Sequence, residues 1–224
     1  MSTLRNVFRT PELRNKILFT LAMILLYRLG AQIPAPGTNL DAIESLRDEF
    51  DGQSGGIFGY LNLLSGGGLA SLSFFALGIL PYITSSIIIQ ILTVAIPKLE
   101  QWQAEGATGQ RKNTQWTRYI AVLLSLVQST GIVVLLHNNP EGFFGTPIDL
   151  FPDGGFKIVL AVTCMTTGTA VLMWIGELIS QKGIGNGMSI LIFASVVSTL
   201  PSVGITVQNL RGWTGIVIAV ILLL

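Results

Sequence analysis

Residues 57–96 read IFGYLNLLSGGGLASLSFFALGILPYITSSIIIQILTVAI, without one charged side chain. The second part, 74–96, is long enough to cross a bilayer core as a helix, which takes about 20 residues. The first part, 57–73, is amphipathic and too short to cross. Gly66-Gly67-Gly68 interrupts it, and each glycine costs about 1 kcal/mol inside a helix. A short apolar helix that breaks before a full span dips into the membrane and returns. Such a piece survives at membrane depth only where protein or an aqueous cavity surrounds it. The stretch therefore predicts a cavity with a re-entrant segment inside it. Pro81 predicts a bend early in the helix that follows.

Further apolar runs flank this stretch. Residues 17–33 hold one charge, Arg28, and 119–136 and 158–175 hold none. Residues 188–200 form a shorter run, extended past Pro201 by 203–207, and 213–224 is apolar throughout. The pattern predicts an all-α polytopic membrane protein with five transmembrane helices, at about 17–33, 74–96, 119–136, 158–175 and 188–207, and a truncated sixth at 213–224. Composition agrees. Half of the 224 residues are hydrophobic and only 11% are charged, against roughly 25% in ordinary soluble domains. That shortfall excludes a disordered or nucleic-acid-binding protein and argues against a water-soluble globule.

Charge placement sets orientation. Arg5, Arg9, Arg14, Lys16, Lys98, Arg111, Lys112, Arg118 and Lys182 fall on one side, and only Arg47, Lys157 and Arg211 on the other. The second side collects Asp41, Glu44, Asp48, Glu49, Asp51, Glu141, Asp149 and Asp153. The positive-inside rule then places the N-terminus in the cytoplasm. Residues 1–16 form a cytoplasmic amphipathic segment, with Leu4, Val7 and Phe8 on one helical face and Arg5 and Arg9 on another, suited to an anionic lipid surface. The first run is too long for a signal-peptide core and leads into Ile33-Pro34-Ala35-Pro36-Gly37 rather than a small-residue cleavage site, so it reads as an anchor.

The spans carry many Ser and Thr, whose ordinary role is bridging membrane helices. Gln90 and Gln128 are harder to satisfy and suit an interface that opens or a water-lined path. Ile79 and Ile83 are four apart, as are Met188 and Ile192, so each pair shares a helix face. Bulky apolar side chains can seal a pore by dewetting, although this spacing is also that of ordinary packing. Arg28, six residues before Pro34, can snorkel outward. Gly183-Ile184-Gly185-Asn186-Gly187 lacks the Lys-Ser/Thr of a phosphate loop and reads as a tight turn. Cys164 reads as a packing residue and His137 as an interfacial one. No carboxylate pair, metal cluster or nucleophile constellation is visible, so no enzyme activity, cofactor or metal is expected.

In order along the chain, several motifs resemble one family. Tyr27-Arg28-Leu29-Gly30-Ala31-Gln32-Ile33-Pro34-Ala35-Pro36-Gly37 resembles its first-span exit. Asn62-Leu63-Leu64-Ser65-Gly66-Gly67, then Phe75-Ala76-Leu77-Gly78-Ile79-Leu80-Pro81-Tyr82-Ile83, resemble its plug and second span. Gly109-Gln110-Arg111-Lys112 with Gln115-Trp116-Thr117-Arg118-Tyr119 resembles the loop before the third. Met173-Trp174-Ile175-Gly176-Glu177 and Gly183-Ile184-Gly185-Asn186-Gly187-Met188-Ser189-Ile190 resemble the connection from fourth to fifth. The family is bacterial SecY, the protein-translocation channel subunit, and the likeness is to its N-terminal half.

The resemblance implies half of an inverted-repeat, ten-helix clamshell around an hourglass pore, spanning 17–207. It implies a plug at about 57–71, including Tyr60, Leu61, Asn62, Leu63, Leu64, Ser65, Gly66, Gly67, Gly68 and Leu69. It maps a pore ring onto Ile79, Ile83, Met188 and Ile192, where Met188 departs from the family's usual isoleucine and makes a less rigid seal. It maps a lateral gate onto Thr84 and Gln128. It also implies a cytoplasmic partner loop with Arg111, Lys112 and Arg118. The partners implied are SecE and SecG subunits, the SecA motor ATPase, the ribosome, signal sequences, nascent chains and the lipid of a bacterial plasma membrane, with no direct nucleic-acid recognition. The competing expectation is a small-solute secondary transporter with a discontinuous helix, which calls for an intramembrane charge or ion cluster. An intramembrane protease calls for a Ser–His or Asp–Asp pair at depth, and neither occurs.

Overall fold

The computed structural model describes residues 11–52, 57–138, 150–151 and 155–211. Residues 1–10 of the expected amphipathic segment 1–16 and the expected sixth span at 213–224 lie outside them, while 11–16 belong to the first helix. The described residues form eight helices and no strand: α1 Pro11–Gln32, α2 Leu40–Gly52, α3 Ile57–Leu64, α4 Leu80–Ala95, α5 Pro97–Ala104, α6 Ala107–Asn138, α7 Gly155–Lys182 and α8 Gly187–Arg211.

Two helices, Thr108–Asn138 within α6 and Gly155–Lys182, are long and apolar enough to cross a membrane. At 1.5 Å per residue each exceeds the roughly 30 Å hydrocarbon core. Only 28% and 39% of their apolar windows are buried, so neither is the core helix of a soluble domain. Their outward faces are apolar: Leu123, Leu126, Val127 and Val159 are all exposed. On α1, Leu18, Leu21, Leu25 and Leu29 form an exposed stripe of the same kind, at helical spacing. α4 and α8 contribute shorter apolar segments, Leu80–Ala95 and Gly187–Thr199.

α7 is the central post. It packs against α6 on one side and α1 and α8 on the others, while α4 lies on α6. Small residues let it come close. A Cβ at Gly168 would run into the carbonyl oxygen of Phe74, so only glycine admits the chain turning into α4 there. The hydroxyls expected to bridge helices mostly bond their own helix: Ser125 to the Val122 carbonyl, Thr169 to Met165 and Ser195 to Ile192. Ser129 and Thr166, 3.2 Å apart, bridge α6 to α7.

The structure corrects the sequence reading in three places. α4 begins at Leu80, six residues after the apolar run does. Residues 65–79 are instead a succession of turns, because Gly66, Gly67 and Gly78 adopt positive φ and Pro81 stands in the first turn of α4. Proline is tolerated there, where its missing N–H has no partner to lose. It therefore starts the helix and does not bend its middle. The charged connection 98–118 is largely helical. α5 turns back at Glu105 and Gly106, and α6 already runs through Arg111, Lys112 and Arg118. Third, Arg28 turns inward, as described below.

Candidate functional site

The site is built from two closures. The first is an apolar cluster where α4 and α8 begin beside α7. Its buried members are Tyr27, Phe75, Ile79, Leu172, Ile175, Ile179 and Leu191, with Ile83, Met188 and Ile192 partly buried against them. Ile79, Ile83, Met188 and Ile192 thus share one cluster. Ile79 is the residue just before α4. The α8 pair is set by the Gly183–Gly187 turn. Gly185 has φ +64°, the Asn186 carboxamide accepts from Met188 N–H at 3.0 Å, and Ser180 Oγ accepts from Gly187 N–H at 2.8 Å. These bonds occupy the N–H groups that a phosphate would need. Met188 lies over Gly176, where a Cβ would meet its Sδ, so the thioether rests on α7.

The second closure is the glycine segment. α3 ends at Leu64, and the amides of Gly66 and Gly67 bond back to the carbonyls of Leu63 and Asn62. That reversal needs left-handed residues, and Gly66 supplies one at φ +67°. The segment satisfies its own backbone. Asn62 Oδ1 accepts from Ala70 N–H at 2.9 Å, and Ser65 Oγ accepts from Leu69 N–H at 3.0 Å. Beyond it the chain runs beside the end of α1, with Ala35 N–H on the Leu72 carbonyl and Phe74 N–H on that of Ile33.

Three side chains from elsewhere grip it. Tyr27, fully buried, donates its hydroxyl to the Ser65 carbonyl at 3.1 Å. Arg28 Nη1 donates to the Gly66 carbonyl at 2.9 Å and to Ser198 Oγ at 2.7 Å. Arg47 of α2 donates from Nε and Nη2 to Ser71 Oγ at 3.1 and 2.8 Å. Hydrogen bonds from charged groups contribute about 1.5–3 kcal/mol each. The outward swing expected of Arg28 does not occur, because the Gly66 carbonyl and the Ser198 hydroxyl offer it acceptors within reach. A charge near a span's outer end was the only sequence signal for this role, and it does not say which way the side chain goes. Arg47 was legible only as an outer-side charge and Ser198 only as a polar residue inside a span, and neither signal names a partner.

Two cavities flank the closures. One, about 390 Å³, is bounded by Leu61, Leu69, Leu77 and Leu80 together with Thr84 and Gln128. Thr84 and Gln128, on different helices, thus share one apolar cleft with Leu61 and Leu69 of the infolded segment. The other, about 450 Å³, lies beyond Ile83 and Met188 and is lined by Ser86, Gln90, Thr114, Glu177, Ser180 and Asn186. The first cavity is largely apolar and the second is of mixed lining; Ile83 and Met188 of the apolar cluster border the second.

Of the three basic residues expected to face a partner, Arg111 and Lys112 are exposed. Lys112 pairs with Glu105 at 2.9 Å and lies 5.7 Å from the Trp102 ring centre. Arg118 makes two 2.6 Å bonds to Glu177 of α7, a bidentate pair that fastens α6 to α7. His137 is exposed at the end of α6, and Cys164 packs against a second apolar cluster, which includes Ala42 and Leu46 of α2 and Met165 of α7. Among the described residues no group of His, Cys, Asp and Glu could hold a metal ion.

A membrane protein whose described residues are helical, with apolar outer faces, an apolar interior cluster and an uncharged infolded segment, is the class defined here. The family model of SecY matches residues 73–224, and the chain belongs to the SecY family. It is similar to the protein translocase subunit SecY of Corynebacterium glutamicum, 47% identical over 99% of this chain and 50% of that one. The corresponding subunit of Streptomyces coelicolor is 47% identical over 90% of this chain and 46% of that one, and that of Mycobacterium tuberculosis 45% over 95% and 48%. The chain thus spans about half the length of the curated relatives it matches. A solved structure described as that of a protein conducting channel shares the fold, with TM-score 0.54 and 18% identity over 84% of this chain and 37% of that one.

Proposed function

We propose that this chain supplies half of the central subunit of a protein-conducting channel, one that moves secretory proteins across the bacterial plasma membrane and releases membrane proteins sideways into it. The observation that carries the proposal is the convergence of Ile79, Ile83, Met188 and Ile192 in one apolar cluster, with the glycine segment folded in beside it. In this reading the four side chains form half of a ring that excludes water at rest and closes around a passing chain. Residues 57–71 are the plug. Thr84 and Gln128 mark the lateral gate, into whose apolar cleft a signal sequence inserts. The relatives' names, which speak of protein translocation, favour this over a small-solute transporter.

The five spans and the beginning of a sixth are part of the same proposal, as is the orientation with Arg111, Lys112 and Arg118 in the cytoplasm. SecA, the ribosome, SecE and SecG are the proposed partners, with the motor or ribosome meeting the α5–α6 hairpin. The chain's role is conduction, and the partner supplies the energy.

The test deletes residues 60–70 in the full-length protein. Exported proteins with defective signal sequences should then cross more readily, and the reconstituted channel should conduct ions at rest. Stable protein showing neither effect would overturn the proposal. For orientation, in a Cys164→Ala background Glu44→Cys should react with an impermeant thiol reagent added outside and Gln110→Cys should not. The reverse pattern overturns the charge argument.

A further inference from the structure

We propose that Tyr27 and Arg28 of α1, together with Ser198 of α8, form a latch that holds the glycine turn in its closed position and sets how readily that turn leaves. The inference rests on the channel reading above for its consequence, not for its geometry. The turn sits in a notch between α1 and α8. A Cβ at Gly66 would lie 3.1 Å from Tyr27 Oη, 3.2 Å from Arg28 Nη1 and 3.2 Å from Ser195 Cβ. Both grips fall on consecutive main-chain carbonyls, Ser65 and Gly66, so they hold the path of the chain whatever side chains it carries.

The latch is reversible by construction. Arg28 stands four residues before the last residue of α1, about 6 Å along the axis. When the turn withdraws, Nη1 keeps Ser198 and the guanidinium can reach water at the helix end, so no charge is stranded in lipid. The freed carbonyls move into a wet space, where water satisfies them. Closed and open states therefore differ by a few exchangeable bonds, the condition for a population that shifts easily. Arg47 grips Ser71, just past the turn, and serves as the hinge.

One nitrogen of Arg28 makes both bonds. A lysine ammonium can do the same, while an apolar side chain of similar reach cannot. In the full-length protein, reconstituted in vesicles, hydrogen–deuterium exchange of the segment 61–74 is compared among wild type, Arg28→Leu, Arg28→Lys and Tyr27→Phe. Arg28→Leu should speed exchange in this segment about tenfold or more, as loss of a charged hydrogen bond implies. Exchange in α6 and α7 should not change. Arg28→Lys should restore most of the protection, and Tyr27→Phe, which keeps the ring in place, should give a smaller rise. Resting ion conductance should follow the same order, below that of the 60–70 deletion.

Unchanged segment exchange in Arg28→Leu overturns the latch, and so does a rise spread evenly over the whole protein. If Arg28→Leu does not fold, Tyr27→Phe decides: no rise at 61–74 overturns the latch. If exchange rises as stated but neither variant nor deletion conducts, the latch stands and the channel reading falls. If the deletion conducts and Arg28→Leu leaves exchange unchanged, the channel reading stands and the latch falls.

Discussion

The apolar cluster and the glycine turn lie side by side, yet different forces hold them. Ile83, Met188 and Ile192 are held by contact alone and are only partly buried, so they gain from burial without being tied to one geometry. The turn is held by directed bonds from Tyr27, Arg28 and Arg47 and by caps from Asn62 and Ser65. Dispersion and desolvation fall off gradually with displacement, and hydrogen bonds fail abruptly with distance and angle. A seal of the first kind can deform around objects of varied shape. A seal of the second kind is either seated or released. On the proposed channel reading, two such unlike closures would give a barrier that is both compliant and switchable.

Changes to the two closures should therefore differ in size and kind. The largest effect is expected where the compliant one loses its bulk. Replacing Ile83 and Ile192 together by Ser in the full-length protein should let ions cross the resting channel, because a constriction dewets only while its lining is bulky and apolar. Unchanged conductance in planar bilayers would mean that the turn alone seals. A smaller, structural effect is expected at the frame that positions both. Gly168→Ala drives a methyl group into the Phe74 carbonyl and should cost about 1–3 kcal/mol, read as a lowered thermal unfolding midpoint in detergent. If it is neutral, the approach of α7 to the turns before α4 is looser than described.

Next comes the hinge. Arg47→Met removes the bonds to Ser71 and the 3.2 Å bond to Gln32. Because the side chain is exposed, the loss should be about 1 kcal/mol, seen as faster amide exchange confined to residues 69–74. Exchange spreading into α3 and α8 would make Arg47 part of the latch. The smallest effect is expected for Arg118 and Glu177, away from both closures. Their side chains are 44% and 19% exposed, so a double-mutant cycle should return a coupling of about 1 kcal/mol or less that shrinks with salt. A larger coupling would show that the α6–α7 junction depends on the pair.

Much of this was legible along the chain because lipid imposes one-dimensional rules. An uncharged run long enough to cross reads as a helix wherever it stands, and the Gly66-Gly67-Gly68 break is visible because glycine weakens helices in any context. The place of Ile83 beside Ile79 follows from helical periodicity. That this pair meets Met188 and Ile192, more than a hundred positions on, was suggested by the family likeness and not by spacing. The start of α4 was misplaced because an apolar run does not distinguish helix from a series of buried turns. The positive φ of Gly66, Gly67 and Gly78 and the placement of Pro81 at a helix start decide that.

The sequence by itself determined that this protein is helical, that it lives in a membrane, and that an uncharged, glycine-broken segment accompanies its second apolar run. Those follow from the cost of burying charge and unsatisfied backbone in hydrocarbon, which each residue carries wherever it lies. Only the tertiary structure decided which way Arg28 points and that Arg118 finds Glu177. It also decided that Thr84, Gln128 and Leu69 line one cleft. A polar side chain's partner depends on distance and direction across helices whose mutual packing no single stretch of sequence encodes.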